Sequence, residues 1–203
     1  MLRKRLPQRD VAAELVKRVL RALETGKLTR SDLTARTLAQ FLGQTTSVLY
    51  HHFGSLEGFL YAVSIEGFVA LAERLEAMER AGAGPVKLAE AYLTFGLDNP
   101  VLYRLMLADE YDWDALAHAG QAGRPAQLRP WHALVAYFER NGSADPDGDA
   151  RVFQACAHGI ILLTLTGRIT TGTPRSRDHE VALRVVRRLA TLLTPAAGKH
   201  KKR

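Results

Sequence analysis

The amino-acid sequence predicts an all-α protein: a small basic head of three helices containing a helix-turn-helix, a long fourth helix, and a larger helical body. Three observations carry that expectation. Apolar residues recur at helical spacing along nearly the whole chain, with no strand-like alternation. Leu33 to Phe53, LTARTLAQFLGQTTSVLYHHF, reads as two short helices about a glycine turn. Charge is also divided, with ten Lys/Arg against four Asp/Glu in residues 1–53 and fourteen against seventeen in residues 54–198. A head at +6 on a body at −3 points to a polyanion met by the head, whereas a uniformly basic chain would argue for nonspecific binding.

The expected division is a head of residues 1–53 (with 1–9 as a basic arm), a body of 54–195, and a basic disordered tail of 196–203 that ends KHKKR. The arm reads as a disordered end that could reach DNA phosphates or a minor groove. From Asp10 to Thr25, Val11, Leu15, Val16, Val19, Leu20 and Leu23 form one apolar face, Lys17, Arg18 and Arg21 lie on the polar side, and Gly26 ends the helix. In the next pair of helices Leu38, Ala39, Leu42, Leu49 and Phe53 are the expected core, and small Ala39 permits a close crossing. Gly43 falls where the chain must reverse and supplies a positive φ. Thr45 then caps the second helix, its hydroxyl accepting a backbone N–H. Such a second helix is built to enter the DNA major groove.

Ser55 to Arg80 continues as one periodic segment through Phe59, Leu60, Val63, Phe68, Leu71, Leu75 and Met78, until Gly82-Ala83-Gly84-Pro85 breaks it. At 1.5 Å per residue it spans about 37 Å, enough to tie a head to a second domain. The body reads as further helices near 85–98, 100–108, 112–119, 125–140, 149–171 and 178–193. Their breaks are Asn99-Pro100, Arg124-Pro125, NGSADPDGD, TGTPRS and Pro195.

A chain of 203 residues can bury a real core, and its single cysteine excludes an internal disulfide or a cysteine-rich zinc site. No apolar run reaches membrane-spanning length and the basic start lacks a signal-peptide segment, so the expected compartment is the cytoplasm, without a membrane partner.

Thr34, the Leu38-Ala39 pair, Gly43, Leu49-Tyr50 and His52-Phe53, followed by Ser55, Glu57 and Leu60, together resemble the DNA-binding domain of the tetracycline-repressor (TetR) family of bacterial regulators. AYLTFGLDNPVLYRLM (Ala91 to Met106) is similar to the ligand domain of one subgroup, with asparagine-proline before Leu-Tyr-Arg-Leu-Met. ACAHGIILLTLTGRI (Ala155 to Ile169) looks like its later partner, a His-Gly pair opening an apolar helix, although the usual tryptophan ahead of that pair is absent. Two positions depart from the family pattern: Gln44 stands where an apolar residue is usual, and Leu56 where a phosphate-holding lysine is usual.

The resemblance implies a repressor that binds a pseudo-palindromic double-stranded DNA operator as a homodimer and is released by a small, largely apolar effector. Thr45, Thr46, Ser47 and Val48 would meet base edges, with the Val48 methyls against a thymine methyl. His51 would reach a base or a phosphate, Tyr50, His52 and Thr34 would hold phosphates, Arg36 would add charge, and Gln44 would either touch a base or face solvent. Tyr92, Phe95, Leu102, Tyr103, Met106, Trp113, Trp131, Phe138 and His158 are candidate effector-pocket residues. Gly159, Ile160, Leu163, Leu165 and Gly167, with Val181, Leu183, Val185, Val186, Leu189 and Leu192, present the expected dimer faces of the last two helices, which would pair with their copies as a four-helix bundle.

Other readings of these residues are blander. His51 and His52 are adjacent on a helix and point about 100° apart, so they cannot easily share a metal. Asp109 to Asp114 with His118 reads as a solvated loop entering a helix, Cys156 as a small core residue, and His158 as a buried packing residue rather than a base. No metal or cofactor is expected. There is no Gly-x-Ser-x-Gly elbow, phosphate loop, dinucleotide fingerprint or HExxH, which argues against an enzyme with a basic head. A helical adaptor, whose head binds a protein or any polyanion, remains as the alternative and would not bind DNA selectively.

Overall fold

A computed structural model describes residues 8–107, 124–170 and 177–193. The helices in chain order are α1 (Gln8–Glu24), α2 (Ala35–Leu42), α3 (Thr46–Phe53), α4 (Leu56–Arg80), α5 (Pro85–Asp98), α6 (Pro100–Met106), α7 (Arg124–Arg140), α8 (Pro146–Leu165) and α9 (Asp178–Leu193), and a 3-10 turn at Arg30–Asp32 precedes α2. There is no strand among the described residues, so the all-α expectation holds. Residues 1–7 of the basic arm, the acidic run with His118, the expected helix 112–119, Trp113, TGTPRS and the basic tail lie outside the described residues, whereas Gln8 and Arg9 of the arm fall within α1.

The chain packs as two compact units, and the division falls inside α4: residues 1–69 with 99–127 form one, and 70–98 with 128–203 the other. The expected boundary at residue 53 marks off the helix-turn-helix, whereas packing also draws the first half of α4 and all of α6 into the same unit.

In the first unit, Leu15, Val16, Val19 and Leu23 of α1, Leu38, Ala39 and Leu42 of α2 and Leu49 of α3 are all buried, and α2 packs against both α1 and α3. Removing a side chain such as Leu49, 1 % exposed, would cost about 3 kcal/mol through lost transfer energy and a residual cavity. Gly67 of α4 fixes a close crossing with α6, because a Cβ there would lie 2.8 Å from Met106 Sδ and 3.0 Å from Leu102 Cδ1.

In the second unit α5, α8 and α9 are the closely packed helices. Gly96 of α5 makes that approach possible, since a Cβ there would sit 2.6 Å from Cδ1 of the buried, β-branched Ile161. Around it Tyr92 meets Phe153 edge-on at 5.6 Å, and Phe138 meets Phe153 at 6.3 Å.

Among the body helices α8 departs from its expected limits at both ends. α8 begins at Pro146 rather than near residue 149, because proline is tolerated where a helix has no donor to lose, and Asp145 caps it by accepting the Gly148 N–H at 3.0 Å. It ends at Leu165 rather than near 171. Gly167 takes φ +65°, and the chain closes the helix with Gly167 N–H to Thr164 O and Arg168 N–H to Leu163 O. No single described helix is long and apolar enough to cross a membrane. α3 and α4 pass that length and composition test only jointly, bent by 68°.

Candidate nucleic-acid interface

The site is built from the turn upward. α2 begins at Thr34, whose hydroxyl accepts the Thr37 N–H at 3.2 Å and donates to Thr37 Oγ1 at 3.0 Å. Ahead of it the Asp32 carboxylate accepts both the Thr29 N–H (2.8 Å) and the Thr29 hydroxyl (2.6 Å), and these bonds hold its carboxyl below the usual carboxylate range. α2 stops at Gly43, which adopts the left-handed conformation (φ 67°, ψ 34°) that its place in the sequence called for.

Arg18 of α1 then secures the end of α2. Its Nη1 donates to Leu42 O at 3.0 Å and its Nη2 to Phe41 O at 3.3 Å, so a cation answers the negative end of the helix and two orphan carbonyls. Helical periodicity puts Arg18 on the polar side with Lys17 and Arg21. Those two are exposed, but Arg18 is half-buried and structural. Its helical phase alone carries no sign of this, since the partner carbonyls lie more than twenty residues away in sequence.

Thr45 occupies the N-cap position of α3 in extended conformation, yet its hydroxyl accepts no backbone N–H, contrary to the capping bond expected of it. Leu49 and Phe53, one turn apart, are buried and set the rotation of α3. That rotation leaves Ser47, Tyr50 and His51 exposed along one outward line, with Gln44 and Thr45 exposed at the leading end. Thr46, Val48 and His52 are half-buried at the flanks, and Thr34 and Arg36 of α2 are exposed. Tyr50 is 46 % exposed although Leu49 beside it is buried. The His51 and His52 rings meet edge-on at 5.2 Å. No cluster of three or more metal-ligating side chains occurs among the described residues. The outward line therefore offers hydroxyls, imidazoles, a phenol and an amide, groups that serve both phosphate oxygens and base edges.

α4 opens with the Ser55 hydroxyl accepting the Gly58 N–H at 2.9 Å, so one of the backbone donors at this helix start is already engaged.

The candidate pocket residues divide between the units. Leu102, Tyr103 and Met106 are buried in the first, while Tyr92, Phe95 and Phe138 are buried in the second. Trp131 and His158 are half-buried, Trp131 lying under the Arg151 guanidinium at 4.8 Å and His158 held below its usual range by burial. An apolar depression at the α4–α5 turn, lined by Met78, Pro85 and Val86 among others, contains none of them.

The candidate dimer residues also sort by exposure. Leu163, Val185 and Leu192 are exposed, and Gly159, Leu165, Gly167, Val181, Leu183 and Leu189 are half-buried. Ile160 and Val186 are buried within the single chain, at 7 % and 0 % exposure. The reason is phase: each lies on the side of its helix that faces the α5–α8–α9 packing. Cys156, expected in the core, is exposed on α8.

The described residues define an all-helical protein with a helix-turn-helix in its first unit. Residues 86–196 match the tetracyclin repressor-like C-terminal domain, more than half of the chain, and the protein belongs to the tetracycline-repressor-like family of transcriptional regulators. A solved structure of SCO4313, described as a candidate regulatory protein, is 18 % identical, covers 88 % of this chain and 96 % of its own, and superposes with a TM-score of 0.62. A protein of unknown function from Rhodococcus sp. RHA1 is 25 % identical over 89 % of this chain and 95 % of its own, with a TM-score of 0.66. These two likenesses speak to the fold. No curated protein matches the chain.

Proposed function

We propose that this protein is a cytoplasmic DNA-binding repressor that grips a pseudo-palindromic operator as a dimer and lets go when a small, largely apolar effector binds its body. The observation that carries the reading is the outward line of α3: Ser47, Tyr50 and His51 exposed, and Leu49 and Phe53 buried behind them, on a head at +6. Thr46, Ser47 and Val48 read base edges, Tyr50 and His52 hold phosphates, and the Thr34 hydroxyl shares its cap with a phosphate oxygen. Dimerisation runs through α8 and α9, which carry Val152, Leu162, Leu163, Val185 and Leu192, five of the eight exposed large apolar side chains among the described residues. Asn99-Pro100 at the start of α6 and His158-Gly159 on α8 fit the subgroup with that ligand domain. The effector acts by linkage, binding better to the form whose heads are misaligned for DNA.

Footprinting on the DNA just upstream of its own gene tests this. Two symmetric protected half-sites, about one or two helical turns apart, support the reading. Uniform, unphased protection at low salt only, as expected of a polyanion-binding adaptor, refutes it.

A further inference from the structure

α2 ends in a hydrogen-bonded stop of a particular kind. With Gly43 left-handed, the Gly43 N–H donates to Gln40 O at 3.1 Å and the Gln44 N–H to Ala39 O at 2.9 Å. In such a stop the residue after the glycine frequently carries an apolar side chain that folds back onto the last turn of the helix. Here that residue is Gln44, which is exposed, while Ala39 is buried. Gln44 gives its backbone to the stop and leaves its side-chain amide in solvent. Thr45 follows at the N-cap position of α3, yet its hydroxyl accepts no backbone N–H. Two consecutive polar side chains at the leading end of α3 are thus not used to close the turn.

We propose that Gln44 is a specificity-determining residue whose amide reads one adenine in each half-site of the operator. The claim rests on the regulator reading above and lies wholly within the first packing unit. Gln44 precedes Ser47 by three residues and His51 by seven, so it continues the outward line of α3 at the end that meets base edges. A glutamine amide holds one acceptor and one donor in a plane. In the major groove adenine answers both, its N6 amino group donating to Oε1 and its N7 accepting from Nε2. The hydroxyls of Thr46 and Ser47 donate or accept equally well and discriminate little between bases, so the amide supplies selectivity that they lack. The backbone bond to Ala39 O fixes the root of the side chain, which reduces the freedom lost on binding.

The test is selection of bound sequences from a randomised duplex library by the full chain, with Gln44→Leu and Gln44→Arg alongside. At one position of each half-site the native protein should favour adenine by about tenfold. Gln44→Leu supplies the apolar side chain that such a stop frequently carries, so it should melt no lower than the native protein. It should lose the adenine preference at that position and keep the preferences at the others. Gln44→Arg should exchange the adenine for guanine, whose O6 and N7 accept from both prongs of the guanidinium. A leucine variant that selects the native sequences, one that loses preference evenly at all positions, or an arginine variant that keeps the adenine each overturns the assignment alone. A native protein that enriches no sequence removes the regulator reading, and the assignment with it.

Discussion

Arg18 donates to Leu42 O and Phe41 O, so the end of α2, and with it the turn that aims α3, depends on a side chain from α1. Replacing it with alanine leaves two carbonyls at a helix end without their charged donor, and the expected loss is about 1–2 kcal/mol of stability, read by urea unfolding. Arg18→Lys should recover only part, because an ammonium cannot fork across both carbonyls as the guanidinium does. His158 gives a prediction in pH. Burial lowers its proton affinity below the usual 6.5, so the unfolded chain takes up a proton before the folded chain does. Stability should therefore be complete above pH 6.5, fall as the pH drops below it, and level off beneath the folded value. His158→Gln should flatten thermal melting across that window. A slope that survives the substitution would locate the titrating group elsewhere. At this scale the sequence was legible where one residue type answers a local need, as with Gly43 and its positive φ or the buried Leu38 and Leu49. It was not legible for Arg18, Thr45 or Cys156, whose surroundings are settled by distant chain or by helix phase.

The helices themselves were largely readable, because amphipathic periodicity records which face will be buried before any partner is known. α4 and α5 lie within a residue of their expected spans. α8 departs from its expected span at both ends for local reasons, proline at its first position and a glycine cap after Thr166. Its outward face, with Val152, Leu162 and Leu163 exposed beside Val185 and Leu192 of α9, carries the dimer prediction. Leu163→Asp with Val185→Asp should convert a dimer into a folded monomer, seen by light scattering with unchanged helical circular dichroism. Cys156 lies on α8 and is exposed in the single chain, which supplies a second reading of the same event. Its thiol should react slowly with a bulky disulfide reagent in the native protein and at least tenfold faster, roughly, in the aspartate variant, as a surface opened by dissociation must. Equal rates, or a native protein that is already monomeric, would remove this face as the interface.

At the scale of the whole molecule, the basic head and slightly acidic body were visible from charge placement alone, and the family match over residues 86–196 covers the half of the chain whose motifs are less specific. Packing adds what composition cannot hold: α6 and the first half of α4 belong with the head, and the second half of α4 with the body. Neither assignment follows from periodicity, which says that a helix has a buried face but not which neighbour buries it. The pocket residues show the same limit, since an aromatic that lines a cavity and one that fills a core look alike in sequence, and Tyr92 and Phe138 here pack on or beside Phe153.

The central claim is that the outward line of α3 reads DNA. The most direct measurement is competition binding to the fragment upstream of its own gene against a scrambled fragment, across salt concentrations, with Thr46→Ala, Tyr50→Ala alongside. The native protein should prefer its own fragment by roughly a thousandfold at physiological salt, with affinity falling steeply as salt rises. The variant should lose most of that preference while retaining weak, salt-sensitive binding to both fragments. Equal, weak binding of both proteins to any DNA would contradict the claim, leaving the head a polyanion patch and α3 without a reading role.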